Sequence, residues 1–289
     1  KGDSGNVKIN AGNLKINGQG SRYFTGVATS SEPNSEGNAG TIEITVASIL
    51  ELLKGGTIAS STWSKGDAGS IKIKADGMKI DSQNSADFTG IASSSEKNSE
   101  GRAGIIKITV NEFLEMINGC EIRSSAFSKG DAGDVKLYLD TLIVDSSWIS
   151  SDAYSSSTGY VGNIEINSDS IILLNGRGIS IEAHQTLPEE KLADMPEKSI
   201  TLNTNRLTIQ SESKITSEST KNVPASDINI NADTIYLHDG LITTSVEGTN
   251  GDGGNININN EADPADILVM QNGFIQANSK AKGGTGGRI

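Results

Sequence analysis

Two carboxylates stand in matching positions of short alternating runs, Ile42-Glu43-Ile44 and Ile164-Glu165-Ile166. Paired carboxylates are the working groups of glycoside hydrolysis, in which one protonates the leaving oxygen while the other attacks or activates water, at separations under about 10 Å. Metal chemistry has less to build on. His184 and His238 lie far apart, with no cysteine or second ligand at metal-binding spacing near either. Gly251-Asp252-Gly253-Gly254-Asn255 resembles a calcium-binding turn, yet the nonapeptide repeat that assembles such sites is missing. No cofactor is expected. The single thiol, Cys120, excludes an intrachain disulfide, and its place two residues before Ile122 predicts that it points inward with it.

What these groups can do depends on what positions them, and the chain is a repeat. Ser35-Glu36-Gly37-Asn38-Ala39-Gly40 returns as Ser99-Glu100-Gly101-Arg102-Ala103-Gly104, an offset of 104 − 40 = 64 residues that also relates Gly5, Gly69 and Gly133. Each block holds two units. Every unit opens with an in-out pair (Val7/Ile9, Ile42/Ile44, Ile71/Ile73, Ile106/Ile108, Val135/Leu137, Ile164/Ile166), continues with a second pair such as Leu14/Ile16 or Met78/Ile80, and closes on an aliphatic anchor trailed by small polar residues, as in Ile58-Ala59-Ser60-Ser61. A period of two is that of a strand. Three short strands per unit, separated by Gly, Asn, Asp and Ser, predict an all-β, right-handed, three-sided parallel β-helix of about nine coils, with 1–289 forming a single domain.

That geometry bears on the carboxylates. Along the outward column of the first strand, Glu43 and Glu165 fall four coils apart, about 19 Å at 4.8 Å per coil. Paired-carboxylate catalysis on this face is not expected, and the chain reads as a non-enzyme. Its net charge of −12 disfavours nucleic acid as a partner. No apolar run approaches the 18 residues of a membrane span, so membrane insertion is not expected. Both ends enter the repeat at the same phase without a distinct cap, which predicts a segment of a longer protein or, alternatively, a subunit that associates end to end.

The motif Gly-Asn/Asp-Ala-Gly-x-Ile-x-Ile, seen at Gly37-Asn38-Ala39-Gly40, Gly66-Asp67-Ala68-Gly69 and Gly130-Asp131-Ala132-Gly133, is followed by Leu-x-Ile/Leu-x-Asn/Asp-Gly and Ile-x-Ser-Ser. This pattern resembles the filamentous haemagglutinin-type repeats of large exoproteins exported by two-partner secretion in Gram-negative bacteria. The resemblance spans nearly the whole chain. It implies an extracellular, cell-surface shaft serving adhesion, biofilm formation or filament construction, with a protein or glycan of a host or neighbouring cell as partner.

Three surface features qualify as sites. Outward positions of the second strand alternate in sign through Lys15, Glu51, Lys79 and Glu115, then turn apolar through Ile143, Ile172, Thr208, Tyr236 and Leu268. The charged part predicts an ion-pair ladder that sets register; the apolar part predicts a contact, either with another protein or with an insertion of the chain itself. Lys8, Lys72, Lys107 and Lys136 line the first strand, either solvated or attracting an acidic partner. The insertion from His184 to Lys198, with Leu187 just before Pro188 and Leu192 and Met195 between Pro188 and Pro196, predicts one or two helical turns and is a candidate recognition loop. The homologous loops 17–26 and 81–90 each carry a phenylalanine, Phe24 and Phe88, expected to pack back on the shaft.

Overall fold

A computed structural model describes residues 2–19, 21, 23–248, 251–260 and 263–289. It is an all-β solenoid of about nine turns in which equivalent strands of successive turns pair in parallel. Register follows the repeat: Ile42 pairs with Ile71, Ile71 with Ile106, Ile106 with Val135, and Val135 with Ile164. All five side chains are fully buried. One continuous core of such columns runs the length of the stack. Cys120 belongs to it, and burial pushes its thiol up to about 12.

The predicted division into three separate strands holds only in part. First and second strands are distinct at Val7–Ala11 and Leu14–Asn17, and at Ile42–Val46 and Ile49–Leu53. In the next six turns they merge into single strands, Ile71–Asp81, Ile106–Ile117, Val135–Asp145, Ile164–Leu174, Ser199–Gln210 and Asp227–His238. Pairing between turns continues through the linking residues there, with register shifts between Ala75 and Gly77 and between Tyr138 and Thr141. The third strands, from Thr25–Ser31 to Phe274–Ser279, form a second sheet of nine.

The repeat motif explains itself in the turn that closes each coil. A Cβ on Gly101 would lie 2.0 Å from the carbonyl oxygen of Gly66, and one on Gly104 2.2 Å from that of Gly69, so the backbones approach too closely for any side chain. Between the two glycines, Asp67 Oδ1 accepts the Arg102 N–H at 2.8 Å, and Asn38 Oδ1 accepts the Asp67 N–H at 2.8 Å. The Asn or Asp of the motif therefore carries the ladder through a bend where strand pairing lapses. From inside, Ser124 Oγ donates to the Gly104 carbonyl at 2.7 Å and accepts from the Gly133 N–H at 3.1 Å. Ser93 and Ser151 repeat both bonds in their own turns. The Ser two residues after Ile58, Ile91, Ile122 and Ile149 is thus a buried clamp on the motif glycines.

Candidate functional site

The second-strand column forms as a ladder. Lys15 pairs with Glu51 at 3.2 Å and Lys79 with Glu115 at 3.2 Å, over Leu50, Leu52, Leu114 and Met116, which are fully buried. Ile143, Ile172, Thr208 and Tyr236 follow in the same column, all half-buried. Its next member is Val269, which pairs with Tyr236; Leu268 pairs with Ile235 and so continues an inward column. Ile267-Leu268-Val269-Met270 contains no alternation, so the sequence pattern gives no phase there, and only hydrogen bonding to the preceding strand sets it.

The insertion folds onto the shaft. Glu189–Ala193 is a short helix following Pro188. Leu187 is 1% exposed and belongs to the core, while Leu192 and Met195 pack half-buried against it. Leu187 is also held by backbone bonds in both directions with the Asn222 side chain, at 2.9 and 2.6 Å. Tyr160 donates its hydroxyl to the Lys191 carbonyl at 2.9 Å. The structure thus does not bring Leu187, Leu192 and Met195 together with Ile143, Ile172 and Tyr236 as one presented patch.

On the first strand, Lys8, Glu43, Lys72, Lys107, Lys136 and Glu165 occupy successive positions of one column. The lysines turn to local partners: Lys72 to Glu43 at 3.4 Å, Lys136 to Glu165 at 3.6 Å, and Lys107 to the Tyr138 ring, 5.0 Å from its centroid. Farther along the stack, asparagine replaces charge. The column continues as Thr201, Asn229 and Asn257, where Asn257 donates to Asn229 at 2.8 Å.

A more concentrated set of groups lies on the outward side of the third strands, where sequence reasoning did not search. Glu182 and Glu218 are register partners, and the bridge between Ala153 and Ala183 puts Asp152 next in their column. Neighbouring strands lie about 4.8 Å apart, so these three carboxyls are close. Asp152 is 5% exposed and accepts the Glu182 N–H at 2.9 Å. Burial, with the Glu182 carboxylate adding to it, pushes its pKa up to about 7. His184 bonds Glu182 at 2.9 Å, which raises the imidazole's pKa, and its other nitrogen lies 3.2 Å from the Thr220 hydroxyl. Beside the acids, Phe127 stacks on Tyr154 with centroids 4.2 Å apart, and Tyr154 meets His184 at 6.1 Å. With a pKa of about 7, Asp152 gains and loses its proton near neutral pH, beside the bonded Glu182–His184 pair. The signal was present: Asp152, Glu182 and Glu218 each stand three residues after the anchors Ile149, Ile179 and Ile215.

Among the described residues, no group of three or more His, Cys, Asp or Glu is arranged to hold a metal ion. No helix among the described residues is long and apolar enough to cross a membrane. Comparison with family models, with curated proteins and with solved structures gives no match.

Proposed function

We propose that this chain is a structural and adhesive shaft of a bacterial cell-surface exoprotein of the filamentous haemagglutinin type, working outside the cell without catalysis. The supporting observation is parallel register maintained from the first turn to the last, in both sheets. Each turn buries its aliphatic side chains against the next, so the assembly transmits force along its axis and offers long faces for contact. In this reading the coil is right-handed, following the crossover rule, and its partner is a protein or glycan of another cell.

The test has two measurements. Negative-stain electron microscopy of the purified chain should show discrete rods; long fibres would replace the shaft with a filament subunit joined by strand addition. Beads coated with the chain should attach to epithelial or bacterial cells more than albumin-coated beads do. Equal attachment would remove the adhesive part of the reading.

A further inference from the structure

The two copies of one loop are built alike and end differently. Tyr23 N–H is accepted by Ser21 Oγ at 3.2 Å, and Asp87 N–H by Ser85 Oγ at 3.2 Å, so Tyr23-Phe24 and Asp87-Phe88 occupy equivalent places 64 residues apart (87 − 23 = 64). Phe88 is half-buried because Arg123, on the next turn, lies over its ring at 4.7 Å. The residue equivalent to Arg123 for the first loop is Ala59 (123 − 64 = 59). Without that lid Phe24 is 61% exposed and Tyr23 85% exposed.

Between the loops lies a cleft of about 260 Å³, lined by Tyr23, Phe24, Lys54, Thr57, Asp87 and Phe88. Lys54 and Gly55 form its floor with positive φ angles of 43° and 89°, a turn that brings backbone close beneath Asp87. The volume is below that of a drug-sized site and suits one small ring. Its chemistry is amphipathic: aromatic rings with open faces, plus one carboxylate and one ammonium that together leave no net charge.

We propose that this cleft is a binding subsite for a neutral pyranose, the terminal or penultimate residue of an oligosaccharide. The rings take the apolar C–H face of the sugar. Asp87 accepts from, and Lys54 donates to, its hydroxyls, and the balance of charge disfavours anionic glycans. The proposal rests on the adhesive reading for its biological use.

Cellotetraose, maltotetraose and mannotetraose serve as probes in saturation-transfer difference NMR and calorimetric titration. At least one should bind, and Phe24→Ala should weaken it by about tenfold or more. Ala59→Arg is the sharper variant, since it leaves every lining residue in place and supplies the lid that the second loop already has; it should weaken binding to a similar degree. Failure of all three sugars to bind overturns the proposal, as does binding unchanged in both variants or tighter binding of a heparin tetrasaccharide. Bead attachment by the parent chain with none of the three sugars bound would remove this cleft and leave the adhesive reading standing.

Discussion

Asp152 and His184 give the wall of this solenoid a pH dependence. In the unfolded chain the carboxyl ionises near its ordinary 3.8, whereas in the fold it holds its proton up to about 7. The folded form therefore binds the extra proton between those values, and stability falls as pH rises through that window, then levels off above it. At about 1.4 kcal/mol per unit the loss is on the order of 4 kcal/mol. His184 acts in the same direction: its raised pKa contributes stability that is complete below the ordinary histidine value and is lost as pH climbs through the folded one. Asp152→Asn keeps an acceptor for the Glu182 N–H but has nothing to ionise. Urea unfolding measured from pH 4 to 8 should show the variant gaining on the parent as pH rises, by about 4 kcal/mol at pH 8. Parallel profiles would mean that Asp152 titrates normally.

Glycine is the side chain that the closing turn cannot replace, and the position decides the cost. Gly101→Ala drives a methyl against the Gly66 carbonyl, backbone on both sides with no flexible neighbour to yield, and should cost about 3 kcal/mol or more. Gly12→Ala has nothing within 4 Å and should change stability little. Denaturant unfolding of the pair checks this; equal midpoints would disprove the close approach. These glycines were legible in the sequence because identical backbone constraints recur at identical spacing. Inward aliphatic columns were legible for the same reason, through their period of two. Legibility failed where that signal lapses. Leu268 sits in an unbroken apolar run, so its phase had to come from pairing with Ile235. The merging of first and second strands depends on hydrogen bonds between turns, which no local pattern records. The acidic column was missed because Asp152, Glu182 and Glu218 lie among small polar residues of the third strands, and carboxylates had been sought on the first. Exposure of Phe24 depends on residue 59, a turn away.

Because each turn touches only its neighbours, the stack should tolerate loss of whole turns provided phase is kept. Excising residues 38–101 joins Gly37 to Arg102 and removes two turns, since Gly37 and Gly101 occupy the same column. The new interface is complementary on every strand. Val7 and Ile9 meet Ile106 and Ile108, Leu14 and Ile16 meet Leu114 and Met116, and Lys15 faces Glu115 in place of Glu51. The shortened chain should fold cooperatively with a rod about 10 Å shorter, at about 4.8 Å per turn, as small-angle scattering would measure. An expanded or aggregated product would show that turns are not interchangeable. The same excision has a consequence at the first loop: Gly26 now meets Glu121, as Gly90 does in the intact chain, which brings Arg123 over Phe24. The lid that sequence position 59 withholds is then supplied by the turn placed above. The excision also takes Lys54, Thr57, Asp87 and Phe88 out of the cleft, so the shortened rod should lose saccharide binding while keeping its fold, and retention of full affinity would show that the sugar binds elsewhere.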